Sequence, residues 1–313
     1  MFRFNKCLVG SMRDLYGCFQ MNTYNVNITV ETAASIYNQL KYSYNRDNYY
    51  KYMFCFTGLI CQKSVSVNLR QIVVLLEELT RERFIPAYDL LGNCYYNGEG
   101  CIKSPEKATQ YYLYAHNSGY KNSTAHLALH YFLVNQNVKG QALIEECLKG
   151  DYGDVYGYAY FIKGYGYQFG KYGYPVDKAK ALALYEAGAK ELDIKSSYYA
   201  AVMYNVGIGC AVDHYKALKY FERAAMFDEA EAQYMTGKYY FNGEYVAINY
   251  DRAFAYFEQA FKNGHLAAKT YLGVCYLNGK GCWIDEDLGL RYIKEAASAG
   301  EPIAKKLLAK MNL

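Results

Sequence analysis

Proline is nearly absent, with four in 313 residues, and so is any long apolar stretch. Proline breaks helices because it lacks a backbone donor and clashes with the preceding turn, so its scarcity leaves most of the chain free to be helical. No run of roughly 18 to 20 uncharged apolar residues occurs, and we expect no integral membrane segment. The opening MFRFNKCLVGSMRDLYGCF starts basic, but Ser11, Arg13 and Asp14 break its apolar run, unlike a signal peptide. An intracellular, cytoplasmic location is the expectation. Charge of one sign is lacking too. A net charge of +4, with Lys and Arg interspersed among Asp and Glu, provides no basic stripe for phosphates, and no nucleic acid is expected as partner.

Catalytic signatures are also missing. There is no G-x-S-x-G elbow and no G-x-x-x-x-G-K-[ST] phosphate loop. His126 and His130 stand four apart, with His116 not far off, but Leu127 occupies the place where an H-E-x-x-H zinc hydrolase needs its glutamate. We expect no catalytic residue, no metal and no cofactor, hence no enzyme.

A period is present instead. Thr29, Asn68, Ser104, Gly140, Asp177, Asp213, Asn249 and Asp285 recur at steps of 39, 36, 36, 37, 36, 36 and 36 residues. Ser, Thr, Asp and Asn cap helix N-termini by accepting a hydrogen bond from the first turn, and Gly is tolerated there. Four residues after each cap come Ala33, Ile72, Ala108, Ile144, Ala181, Ala217, Ala253 and Gly289. Eight after come Tyr37, Leu76, Tyr112, Leu148, Tyr185, Phe221, Phe257 and Ile293. At 3.6 residues per turn these two positions share one face, so each unit holds a helix, here helix B, with a small-then-large buried stripe. Upstream recurs a helix A. A small residue usually stands twelve before the cap (Gly17, Gly92, Ala128, Ala201, Gly237 and Gly273, with Phe56 the exception), and a large one follows three on, as in Tyr95, Tyr204 and Tyr276. Asn97-Gly98, Asn242-Gly243 and Asn278-Gly279 close helix A, since Gly takes the left-handed conformation of a helix end.

The segment Val155 to Pro175 has the composition of a Gly/Tyr linker. In the period, however, Gly164, Tyr167 and Gly170 fall where Gly273, Tyr276 and Gly279 fall, so it reads as the fifth helix A with one loop residue inserted, at or near Tyr172. Ten cysteines are present. Cys101, Cys210 and Cys282 each lie three before a cap, where the seventh unit has Val246, so they read as small buried apolar positions. Cys94/Cys101 and Cys275/Cys282 form pairs seven apart, and free thiols are expected of an intracellular chain.

A period of this length predicts a solenoid. Leu91-Gly92-x-x-Tyr95-x-x-Gly98-x-Gly100, with Ala108-x-x-x-Tyr112-x-x-Ala115-x-x-x-Gly119, resembles the Sel1-like repeat, a relative of the tetratricopeptide repeat. Leu272-Gly273-x-x-Tyr276-x-x-Gly279-x-Gly281, continuing to Ala296-Ala297 and Gly300, resembles it as well. The likeness is strong for the units capped at Ser104, Asp213, Asn249 and Asp285 and fainter at Asp177. At Thr29, Asn68 and Gly140 only the spacing remains. The resemblance implies an all-α, right-handed α/α superhelix of about eight helical hairpins. We divide the chain into divergent hairpins at 1–84, about six Sel1-like repeats at 85–300, and a capping helix at 301–313 with the apolar stripe Ile303, Leu307 and Leu308.

The same resemblance implies an interaction scaffold or adaptor, some relatives being host-interacting proteins, which would place this one in a host cell. In tetratricopeptide relatives helix A lines the binding wall with residues one and four after the small residue and three before it. Carried over, these are Asn93, Tyr165 and Lys238; Tyr96, Phe132, Gln168, Asn205 and Phe241; and Tyr198 and Tyr234. A face so rich in aromatics suits an extended peptide or a partner helix, although some of these rings are expected to pack between units. The alternative is an enzyme, since some cysteine-rich Sel1-like proteins are linked to penicillin binding and lactam hydrolysis. Those relatives carry a disulfide in each repeat at the junction between units, a placement this chain's cysteines do not share.

Overall fold

The structure, a computed structural model, describes residues 30–40, 47–62, 65–149, 157–227 and 229–311. The expected cap Thr29 and the helix-A residues Gly17 and Gln20 lie outside them. The chain forms two compact units, 1–156 and 157–313. The first contains α1 (Val30–Leu40), α2 (Asn48–Cys61), α3 (Leu69–Arg81), α4 (Ile85–Asn97), α5 (Pro105–Asn117), α6 (Lys121–Leu133) and α7 (Asn137–Leu148). The second contains α8 (Gly157–Phe169), α9 (Lys178–Lys190), α10 (Ile194–Val206), α11 (His214–Ala225), α12 (Ala230–Asn242), α13 (Tyr250–Lys262), α14 (Leu266–Asn278), α15 (Glu286–Ser298) and α16 (Pro302–Lys310). No strand occurs among the described residues, so the fold is all-α. Within each unit, helices adjacent in sequence pack together. Helix A is α2, α4, α6, α8, α10, α12 and α14; helix B is α1, α3, α5, α7, α9, α11, α13 and α15.

Six of the expected caps act as such. The side chains of Asn68, Ser104, Asp177, Asp213, Asn249 and Asp285 each accept a hydrogen bond from the backbone N–H three residues on. Behind them the small-then-large stripe is buried: Ala181 with Tyr185, Ala217 with Phe221, and Ala253 with Phe257 are all inaccessible or nearly so. Burying such a phenylalanine stabilises the fold by roughly 1.5–3 kcal/mol. Opposite the large residue sits the small one of helix A. A β-carbon on Gly92 would lie 2.5 Å from the Tyr112 ring, and one on Gly237 would lie 2.6 Å from Phe257.

Gly140 is not a cap. Helix α7 begins at Asn137 behind Gln136, whose side chain makes no capping bond, and Gly140 is buried inside the helix beneath the Phe132 ring. The loop from α6 to α7 has three residues, 134–136, against seven at 98–104, 207–213, 243–249 and 279–285. The shortening makes Gly140 the small residue and Ile144 the large one. Helix α8 takes in much of the Gly/Tyr segment, and its following loop, 170–177, has the one extra residue. Tyr172 in that loop adopts φ +62°.

Three further expectations shift in detail. Cys101, Cys210 and Cys282 are half-buried, whereas Cys55, Cys94, Cys147 and Cys275 are buried; all seven are free thiols. On α2 the close approach to α3 and α1 is made by Gly58, against Ile72 and Tyr37, while Phe56 is half-buried. On α16, Ala304, Leu307 and Leu308 pack inward and Ile303 is exposed. Helix α16 starts at the buried Glu301, which accepts hydrogen bonds from the Ala304 N–H and the Thr270 hydroxyl.

A second regularity joins successive hairpins. The hydroxyls of Tyr95, Tyr204 and Tyr240 on helix A donate to Glu77, Glu186 and Glu222 on the preceding helix B, at 3.0, 2.7 and 2.6 Å. Over the same kind of ring lies a cation three residues after the next cap: Lys107 over Tyr95, Lys180 over Tyr167, Lys216 over Tyr204 and Arg252 over Tyr240. Lys139 covers Tyr131 in the same way, which fits Gln136 as the start of α7. Along the loops from helix A to helix B, Ile102, Val176, Val212, Ile248, Trp283 and Ile284 stand exposed, Trp283 at 92%.

Candidate functional site

Helix A offers one face to its own helix B and another away from it, and the residues carried over from the repeat pattern are distributed between packing and surface. Phe132 and Tyr234 are buried. Phe132 packs over Gly140, and Tyr234 stacks on His265 at 4.3 Å and touches Phe257 and Tyr271. Both therefore belong to the core. Asn93, Tyr96, Tyr165, Gln168, Tyr198, Asn205, Lys238 and Phe241 are half-buried.

Three of these are amides that answer a tyrosine. Where the large residue of helix B is tyrosine, its hydroxyl must find an acceptor when its ring is buried. Tyr112 donates to Asn93 Oδ1 at 2.8 Å, and Tyr185 donates to Gln168 Oε1 at 2.7 Å. Asn205 accepts instead from Tyr239 of the next helix A, at 2.6 Å, with His214 Nδ1 at 3.2 Å. Each amide oxygen is thus used internally. The NH2 group of each has no partner among the described residues.

In the first unit, Tyr112 stacks on His126, whose Nδ1 lies 2.9 Å from Asp89 Oδ1. Ser123 donates to the same oxygen at 2.7 Å. His116 Nδ1 lies 2.9 Å from the Thr124 hydroxyl, and His130 meets the edge of Tyr131. Burial lowers the pKa of His130. The three histidines thus face separate partners.

In the second unit the aromatic residues form two clusters. The first joins α8 and α10: Phe161 and Tyr165 contact each other, and both contact Tyr199. Tyr158 stacks on Phe161, and Tyr198 meets Tyr199 edge-on. The second joins α12 to α13 and α14: Phe241 meets Tyr250 and Tyr271, and Tyr271 meets Tyr234. Desolvation by burial raises the pKa of Tyr199 and Tyr271 and pushes that of Tyr198 up to about 12. These hydroxyls stay protonated and can both donate and accept.

Tyr199 and Tyr271 did not come from the repeat pattern. They stand two before the small residue, a position occupied elsewhere by Leu90, His126, Ile162 and Met235. Their recurrence 72 residues apart was the available signal. Lys171, Lys195 and Lys280 were likewise missed, because they reach these rings from loops and helix starts.

The Sel1 repeat family profile matches residues 85–120, 156–191, 194–226, 230–265 and 266–301, together more than half of the chain. These are the hairpins α4–α5, α8–α9, α10–α11, α12–α13 and α14–α15. No curated protein matches the sequence. Among solved structures, the Sel1 repeat protein from Oxalobacter formigenes gives a TM-score of 0.58 at 20% identity, covering 89% of this chain and 86% of that one. The protective antigen c5321 of uropathogenic Escherichia coli, displaying an SLR fold, gives 0.57 at 18% identity over 84% of this chain. This chain covers 56% of that antigen's length. At these identities the likeness is one of fold.

Proposed function

Because the chain belongs to the Sel1 repeat family, whose members generally mediate protein–protein interactions, we propose that it is a non-catalytic scaffold that holds an extended peptide segment of a partner protein on its helix-A face. The observation that carries this reading is the pair of aromatic clusters in the second unit. Phe161, Tyr165, Tyr199, Phe241 and Tyr271 meet one another in tilted and edge-on ring contacts yet are only half-buried. Such rings give a large contact area at low entropic cost, and Tyr is enriched among residues that dominate binding energy. The amide NH2 groups of Gln168 and Asn205 beside them suit backbone carbonyls of an extended chain.

The alternative, a cysteine-rich Sel1-like hydrolase or penicillin-binding-type enzyme, finds no support in the buried thiols Cys94 and Cys275. Burial pushes the pKa values of Cys94 and Cys275 up to about 12, which keeps them as unreactive thiols, since the thiolate is the nucleophile.

Affinity capture with the full chain tests the scaffold reading. Replacing Tyr165 and Tyr199 together by Ser should abolish capture of a partner, while Tyr215→Ser on the exposed side of α11 should leave it intact, both with unchanged helical circular dichroism. Equal capture by wild type and both variants would place the binding elsewhere. Tyr234 is unsuited to this test because its ring is core.

A further inference from the structure

We propose that Asn97 is a site of spontaneous modification, its side-chain amide converting to an aspartyl or isoaspartyl residue under attack by the backbone nitrogen of Gly98. The same dipeptide closes three helix-A elements: Asn97-Gly98 ends α4, Asn242-Gly243 ends α12 and Asn278-Gly279 ends α14. Asparagine before glycine is prone to this chemistry because glycine has no β-carbon to hinder its nitrogen and lets the backbone turn toward the side chain. The nitrogen loses its proton to solvent base and forms a bond to the asparagine Cγ. The Cγ–Nδ2 bond breaks, and ammonia departs. Water then opens the resulting five-membered imide at either carbonyl, giving aspartate or isoaspartate. The net exchange is OH for NH2, water in and ammonia out, with no change of oxidation state.

By sequence the three sites are alike, each behind a large apolar or aromatic residue, Tyr96, Phe241 or Leu277. Their backbones are alike too. Gly98, Gly243 and Gly279 are left-handed, with φ of +82°, +70° and +63°. Each glycine N–H donates to the carbonyl four residues back, Cys94, Tyr239 and Cys275 in turn. The bond at Gly98, 2.8 Å, is no longer than the 3.1 Å at Gly243, so the backbone gives Asn97 no advantage. All three asparagines are exposed. At every site the attacking nitrogen is therefore held by the helix end, and fraying of that end must release it.

The side chains differ. Asn278 Nδ2 donates to the Val274 carbonyl at 2.8 Å, which ties its amide to the preceding turn of α14. Asn242 Nδ2 donates to Glu244 Oε1 at 3.1 Å. That carboxylate holds the amide and sets negative charge beside a carbon that must take up an electron pair. Glu99 stands at the same repeat position as Glu244, two after the asparagine. Its Oε1 accepts instead from Gln62 Nε2, just past the end of α2, at 3.2 Å. The Asn97 amide accordingly has no hydrogen bond among the described residues. Conversion there adds a carboxylate to the C-terminal end of α4, where the helix dipole disfavours it. Isoaspartate also lengthens the main chain next to Gly98, where the Cys94 carbonyl accepts from both the Gly98 and Glu99 N–H groups.

The test is peptide mapping by mass spectrometry of the full chain, aged at physiological temperature in mildly alkaline buffer, beside the same chain aged in denaturant. One net hydrogen bond corresponds to a factor of roughly two to ten. In the native chain the mass gain of OH for NH2 should therefore accumulate about threefold or more faster at Asn97 than at Asn242 or Asn278. In denaturant, where the clamps are gone, the three sites should convert at similar rates. The variant Glu244→Ala, with unchanged helical circular dichroism, should bring Asn242 up to the native rate of Asn97. Equal native rates at the three sites, no native conversion at Asn97, or a native order that persists in denaturant would each overturn the proposal. An Asn242 rate unmoved by Glu244→Ala would overturn the carboxylate clamp on which the difference rests.

Discussion

Gly237 sits in the middle of α12, where helix propensity alone favours alanine by roughly 1 kcal/mol. A β-carbon there would lie 2.6 Å from the Phe257 ring, and Phe257 is itself fully buried. Overpacking of this kind costs roughly 1–3 kcal/mol, so packing outweighs propensity. Gly237→Ala should lower stability by about 1 kcal/mol or more in denaturant titration, and a stabilised variant would show that the two helices can separate. A second residue-scale effect concerns charge. Hydrogen bonding from His265 holds the Glu231 carboxyl below its ordinary 4.5, so the pair contributes stability that is complete above that value and is lost as pH falls through the lowered one. Asp193 and Glu229 are shifted the opposite way by burial, so total stability against pH mixes contributions of both signs. The informative quantity is therefore the stability difference between wild type and Glu231→Gln. It should be under about 1 kcal/mol near neutrality, because the carboxyl is partly exposed, and should vanish in acid; a difference independent of pH would contradict this.

Among the helices, α8 differs in composition. It carries Gly164 and Gly166 in its interior, each costing roughly 1 kcal/mol relative to alanine, whereas α12 carries only Gly237. Tyr185 and Tyr174 pack against the two glycines, which fixes the helix's place but does not restore its intrinsic propensity. Backbone amides of α8 should exchange several-fold faster than those of α12, and equal protection would sink the expectation. The helix-B elements were readable in the sequence because cap, small residue and large residue are local, all within nine positions. The start of α7 was not readable. Four residues are close to one helical turn, so moving the cap from Gln136 to Gly140 leaves the buried stripe on the same face, and Ile144 fits either register. The proposed helix-A face was half readable for a related reason. Repeat position identifies Tyr165 and Phe241, but Lys195 and Lys280 join their clusters only through the packing of one hairpin on the next, and Lys171 reaches Tyr165 from the loop that follows the same helix.

Within each unit, successive hairpins lean on one another, through the core stripe and the Tyr–Glu contacts at Glu77, Glu186 and Glu222. Stability in such an array is approximately a sum of hairpin and interface contributions, so an uncovered end is a local liability. Removing residues 301–313 would take away Ala304, Leu307 and Leu308, which cover part of the last hairpin, and Glu301, which accepts from Thr270. The truncated chain should aggregate in light scattering; a monodisperse product would mean that α14 and α15 need no cover. The distribution of aromatic residues also determines how this molecule can be watched. With 39 tyrosines and one tryptophan in the chain, and Trp283 at 92% exposure on the loop between α14 and α15, native indole emission should already lie at the red wavelengths typical of water. Tryptophan fluorescence is thus nearly blind to unfolding here, and a blue shift would register contact with that loop edge.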